Sequence, residues 1–336
     1  MPPIRLPLAA ALGAAALLLS PAAAGASPLD TALHRVVAAG APGAVAFAGG
    51  RTAAAGVADL RTGRPLRAGD RIRIGSVTKS FTAVVAMQLV GEGRLRLSDT
   101  VEDRLPGALP YGHRVTLRTL LEHTSGVPDD VATPLTGVFR GDPRRLWTPG
   151  QILGLVRDRP PLFAPGTGWA YSNTDSLLVG MMIERVTGHR LRDELERRIV
   201  RPLHLRDTSF PVRSTGLGGR STRGYSLDLG ADGRPVPGGL RDVTAYSPSF
   251  AWASGNGVSS VRDVARYYRA LLGGRLLRPR GDSARTRSPG GATARSSRRA
   301  RRCSSGSASN SRGSPCTRSA PRSRASCTTS SPTRSA

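Results

Sequence analysis

From residue 281 to residue 336 the chain contains no valine, isoleucine, leucine, methionine, phenylalanine, tryptophan or tyrosine. Ser, Arg, Ala, Gly, Pro, Thr and Cys make up nearly all of that stretch. Such a segment cannot bury enough apolar surface to offset the entropy of ordering it. Residues 279–336 are therefore expected to form a disordered tail, and the core must be built upstream. About 250 upstream residues have ordinary globular composition, enough for one substantial core. The tail has two readings. It is a basic arm that holds the protein on an anionic polymer, or it is non-native sequence from a reading-frame shift in a GC-rich gene. The missing apolar pattern favours the second.

The other end reads as an export signal. Met1 to Arg5 is a short basic stretch, Leu6 to Leu19 an apolar run, and Ala24-Gly25-Ala26 a small-x-small cleavage site. Residues 1–26 are thus expected to be a signal peptide, and the protein to be secreted or wall-associated. The apolar run is short and Ala-rich for a permanent membrane span. All three cysteines (Cys303, Cys316, Cys327) fall in the tail, so the globular part does not rest on disulfides. The net charge is +26, which suits anionic wall polymers. Aromatic residues make up only 4% and no nucleic-acid motif organises the charge.

Between these ends the pattern is mainly helical. Ser76 opens a helix with the apolar stripe Val77, Phe81, Val84, Val85 and Leu89. Thr116 caps a short helix carrying Leu117, Leu120 and Leu121. Thr148-Pro149-Gly150-Gln151 reads as a capping box with Pro in the first turn. A helix starting at Asn173 or Thr174 is stopped by Gly188, Leu191 to Val200 is helical up to Pro202, and Ser259 or Ser260 caps a last helix through Leu272. Strands are expected at Gly43 to Ala48 and Ala53 to Ala58, with a hairpin around Asp232-Gly233.

The basic residues carry the chemical clue. Lys and Arg total 49, yet the only Lys is Lys79. Arg stays protonated at any working pH, whereas a desolvated Lys can lose its proton and act as a base. Lys79 lies three residues after Ser76, and positions i and i+3 share a helix face. An amine beside a serine hydroxyl suggests an activated nucleophile. The helix N-terminus adds unpaired N–H groups and a positive dipole that favour a developing oxyanion. A surviving surface Lys is the plain alternative. The histidines lack metal-ligand spacing, so neither a metal nor a cofactor is expected.

Downstream motifs decide between these. Pro165-Gly166-Thr167-Gly168-Trp169-Ala170-Tyr171-Ser172-Asn173 contains a Y-x-N motif, Ser76-Val77-Thr78-Lys79 is S-x-x-K, and Leu120-Leu121-Glu122-His123-Thr124-Ser125-Gly126 lies between them. Together they resemble the serine β-lactamase-like, penicillin-recognising hydrolases of the class C β-lactamase and D-alanyl-D-alanine carboxypeptidase type. The resemblance covers roughly residues 30 to 278. It implies an α+β fold of the β-lactamase/transpeptidase type, an antiparallel sheet flanked by helices with a helical subdomain. It also implies a covalent acyl-enzyme on D-alanyl peptides, β-lactams or esters. Ser76 would be the nucleophile, Lys79 would hold and accept its proton, and Tyr171 would be partner base and later acid. Asn173 would bind Lys79 and the substrate amide, or cap its helix as well. His123 is read as structural, and which of Lys79 and Tyr171 takes the first proton stays open.

One element of the family pattern is missing. The family carries K-T-G or H-x-G on a strand near the C-terminus. Here the last His is His204 and the only Lys is Lys79, so neither motif can follow the last helix. The expectation is a hydrolase domain over 27–278 lacking its final strands, with impaired activity. The alternative is a catalytically inactive remnant or a basic wall-binding protein.

Overall fold

The computed structural model describes residues 27–129, 142–229 and 235–277. All lie in the first of two units into which the chain divides, Met1–Thr286; the second, Arg287–Ala336, is outside the described residues. The expected signal peptide, the Asp232-Gly233 turn and the tail with its three cysteines also fall outside them, as does the stretch beyond the last helix where the family's final strands are expected to be lacking.

Helix α1 (Pro28–Ala38) opens on a Ser27–Asp30 capping box. It packs with strands β1 (Gly43–Ala48) and β2 (Arg51–Asp59), which pair antiparallel from Gly43↔Gly56 to Ala48↔Arg51. The short β3 (Arg64–Pro65) extends this sheet in the order β1-β2-β3. Gly56, at φ +79, makes the close approach possible: a side-chain carbon there would sit 2.4 Å from the Pro42 carbonyl oxygen.

The helical half follows. Helix α2 (Val77–Gly91) buries Phe81, Val84, Val85, Ala86 and Leu89, the expected stripe apart from a half-buried Val77. Helices α3 (Val101–Arg104), α4 (Leu117–Leu121) and α5 (Pro149–Gly154) each begin with a side-chain capping box, at Thr100, Thr116 and Thr148. Helix α6 (Asn173–Thr187) ends at Gly188 in the left-handed region, φ +74. Helix α7 (Leu191–Leu195) continues as a π turn, Glu196–Val200.

Strands β5 (Tyr225–Leu229) and β6 (Pro235–Asp242) form the expected hairpin ladder. Helix α8 (Trp252–Gly255) and strand β7 (Val258–Ser259) lead into helix α9 (Val261–Leu272), which Ser260 caps. The core joins the helices: Phe81 stacks on Tyr267 of α9 at 3.7 Å and meets Phe210 edge-on at 5.5 Å. Aromatic burial of this kind is a large contributor to stability.

The sequence pattern had not marked α1, α3, β3, or the two-residue strands β4 (Ile72–Arg73) and β7. These last two pair antiparallel, Ile72↔Ser259 and Arg73↔Val258. Two-residue strands carry no periodicity, so only long-range pairing reveals them.

Candidate active site

The β4–β7 ladder positions the start of α2. The Ile74 N–H donates to the Gly257 carbonyl at 2.9 Å. Gly75, at φ +50, then turns the chain into the helix. Thr78 Oγ1 donates to the Gly75 carbonyl at 2.7 Å and accepts the Gly257 N–H at 3.0 Å. A side chain at Gly257 would meet Thr78 Oγ1 at 2.7 Å, so glycine is required for this approach. Ser76 sits at the N-cap with helical dihedrals and makes no side-chain capping bond. Its hydroxyl is exposed and turned to other partners.

Those partners are the residues the motifs singled out. Tyr171 Oη donates to Ser76 Oγ at 2.8 Å, and Lys79 Nζ donates to the same oxygen at 3.3 Å. Lys79 also donates to Asn173 Oδ1 at 2.6 Å and to the Ser254 carbonyl at 2.9 Å. All three ammonium protons therefore have an acceptor. Nζ further lies 4.9 Å from the centre of the Tyr171 ring. The structure thus brings Ser76, Lys79, Tyr171 and Asn173 together from a span of chain whose ends lie 97 positions apart.

Lys79 is half-buried among polar partners, one of them a backbone carbonyl that α8 turns toward it. One expectation is corrected. Asn173 does not cap its helix. Ser172 holds the N-cap position, and the Asn173 side chain bridges Lys79 and Asp129, donating to Asp129 Oδ1 at 3.1 Å. Asp129 also accepts the Asn173 N–H at 3.1 Å and so serves the first turn of α6.

Behind Tyr171 lies a second polar group. Asp175, fully buried in the first turn of α6, takes Ser125 Oγ–H at 2.5 Å on Oδ1 and pairs through Oδ2 with His123 Nδ1 at 2.9 Å. Burial pushes the Asp175 carboxyl up to about 6, although the bonds from His123 and Ser125 pull the other way. A cavity of about 200 Å³ opens between α2, α4 and α6 beside Lys79, His123 and Ser176.

Sequence reasoning missed Ser254, Asp129 and Asp175. Ser254 contributes a backbone carbonyl, which no side-chain motif can signal. Asp175 reads locally as an ordinary acid in a helix first turn. Among the described residues no cluster of His, Cys, Asp or Glu could hold a metal, and no helix is long and apolar enough to cross a membrane.

Comparison with known proteins adds a lineage to this geometry. A family model described as Beta-lactamase matches residues 29–315. Penicillin-binding protein 4 of Amycolatopsis lactamdurans is 32% identical over 223 residues, 65% of this chain and 55% of that protein. Esterase EstB of Burkholderia gladioli is 34% identical over 172 residues, 47% of this chain and 43% of its own length. The chain spans about half the length of the curated relatives it matches. Among solved structures, a D-stereospecific amidohydrolase from Streptomyces sp. superposes with a TM-score of 0.65 at 39% identity, covering 74% of this chain and 73% of that one.

Proposed function

The chain belongs to the β-lactamase family, whose members are serine hydrolases, and on that premise we propose that it forms a covalent acyl-enzyme through Ser76. The supporting observation is that one exposed hydroxyl, Ser76 Oγ, lies within hydrogen-bond reach of both a phenol and an amine. Oγ attacks the carbonyl carbon of the substrate and gives its proton to Lys79 or Tyr171. The scissile C–N or C–O bond breaks, and Tyr171 returns a proton to the leaving group. Water then cleaves the serine ester. Asn173 holds Lys79 in place and offers its amide to the substrate. Amide N–H groups at the start of α2 face the developing oxyanion.

The substrate class we assign is a D-alanyl peptide, a β-lactam or a related ester. The relatives named penicillin-binding protein, D-stereospecific amidohydrolase and esterase support it. We place the hydrolase domain at 27–278 and the site of action outside the cytoplasm, where the signal-like residues 1–26 and the basic surface would meet wall polymers. Turnover is proposed to be impaired. Neither Lys nor His follows residue 204, so no K-T-G or H-x-G strand in this sequence can complete the oxyanion hole. One missing donor costs about 100- to 1,000-fold in rate.

A fluorescent penicillin should label the folded protein at Ser76, and Ser76→Ala should abolish the label. Folded wild-type protein that takes no label from the penicillin, nor from a D-amino-acid ester probe, would sink the assignment. Lys79→Arg keeps the charge but not a removable proton. It should slow labelling roughly 100- to 10,000-fold.

A further inference from the structure

We propose that His123 is a positioning residue that clamps Tyr171 against Ser76, with Asp175 as the anchor of the clamp. The inference rests on the role given to Tyr171 above. Tyr171 needs such a support. It lies outside any helix or strand, is 42% exposed, and must hold its phenol 2.8 Å from Ser76 Oγ at the end of a long side chain.

His123 touches four consecutive residues of that segment. Its carbonyl accepts the Ala170 N–H at 3.0 Å, and the Ser172 nitrogen lies 3.4 Å from its Nδ1, a packing contact because Asp175 takes the one bonding site of that nitrogen. Between those two points its ring packs against the Tyr171 ring, 4.9 Å between centres and tilted 39°. The Trp169 ring meets the same imidazole edge-on at 6.5 Å. The residue before Tyr171 is thus hydrogen-bonded to His123, the phenol ring packs on its imidazole, and the residue after it lies in contact with the same ring.

The clamp is fixed at its other end. Asp175 Oδ2 pairs with His123 Nδ1, Asp175 Oδ1 takes Ser125 Oγ–H, and Ser125 Oγ accepts the Val127 N–H at 3.0 Å. Asp175 is fully buried, so solvent does not compete for its oxygens. The contact survives either protonation arrangement: Nδ1–H donates to a carboxylate, or a protonated Asp175 donates to Nδ1. The backbone of His123 is held at φ +58, a left-handed conformation costly for a non-glycine residue. Strain of this kind persists where the surroundings over-determine it. The same backbone is what lets the carbonyl face Ala170 while the ring faces Tyr171.

The test is a double-mutant cycle read as the rate of Ser76 acylation by a fluorescent penicillin, with thermal unfolding on each variant. His123→Asn tolerates the left-handed backbone but lacks the ring. It should slow acylation about 10- to 100-fold, the scale of an ångström-level misplacement. Tyr171→Phe should slow it as well. In the Tyr171→Phe background His123→Asn should cost less than about 3-fold more, because residues that act as a unit are not additive. Asp175→Ala should resemble His123→Asn, and Asp175→Asn, which still bonds the imidazole, should recover most of the rate. A fully additive loss in the Tyr171→Phe background overturns the clamp while leaving the acyl-enzyme reading intact. So does a wild-type rate in folded His123→Asn or Asp175→Ala. A wild-type rate in Tyr171→Phe overturns the role of Tyr171 and the clamp together.

Discussion

Helix α2 has polar clusters at both ends, and they are built on opposite principles. At its N-terminus the buried carboxylate nearby, Asp175, is held by a serine and a histidine, and burial lifts it to about 6. At its C-terminus the buried carboxylate is Glu194. Burial opposes its charge too, but Arg197, Arg198 and His189 outweigh burial and hold it down at about 2. Arg198 also reaches Glu92 just past the end of α2, through a pair at 3.0 Å and a second at 2.5 Å, and only 8% of its side chain is exposed. The same side-chain type therefore does two jobs. Held chiefly by two arginines, it is a fixed charge that ties α2 to α7 through Arg198. Beside a serine and a histidine it is a hydrogen-bonding hub close to the candidate site.

The sharpest way to break this contrast is Glu194→Ala. It strands Arg198 in a buried position with only Glu92 left. We expect a loss of roughly 3–5 kcal/mol, seen as a clear fall in the unfolding midpoint. A loss below about 1 kcal/mol would mean that the pair is as screened as a surface bridge.

A second test uses pH, and the two ends should move in opposite directions. Asp175 has a folded value raised above the ordinary 3.8. Its contribution is fully present below about pH 4 and is lost as pH rises through about 6. A neutral Asp175→Asn should therefore gain on wild type by roughly 2–3 kcal/mol between pH 4 and 7. Glu194 has a folded value below the ordinary 4.5. Its contribution is present above pH 4.5 and is lost as pH falls through about 2, so Glu194→Gln should approach wild type only in acid. Chemical denaturation across that range reads both. Parallel curves for the two variants would erase the distinction.

The smallest effect belongs to Arg197→Ala. Its side chain is about half exposed and Glu194 keeps Arg198. A loss of roughly 0.5–1 kcal/mol is expected in the same assay.

How much of this was legible in the chain depends on distance along it. The capping boxes at Thr116 and Thr148, the stop at Gly188 and the cap at Ser260 are local devices, and each lies where the pattern put it. The strands β4 and β7 are two residues long and exist only because segments 185 positions apart pair. The site divides in the same way. Ser76 and Lys79 share a face through helix geometry alone, whereas Tyr171 and Asn173 could be joined to them only through family resemblance. Asn173 was readable locally as a cap, and the tertiary structure instead commits its side chain to Lys79 and Asp129.

The sequence by itself determined helices α2, α4, α5, α6, α7 and α9, the family and the residue types at the centre of the candidate site, because periodicity, caps and short motifs are short-range properties. Tertiary structure alone decided what surrounds them: the Ser254 carbonyl on Lys79, the Asp129 carboxylate on Asn173, and the His123–Asp175 pair behind Tyr171. The reason is physical. A backbone carbonyl has no side-chain signature, and a carboxylate becomes a fixed charge or a hydrogen-bonding hub according to which groups the folded chain brings to it.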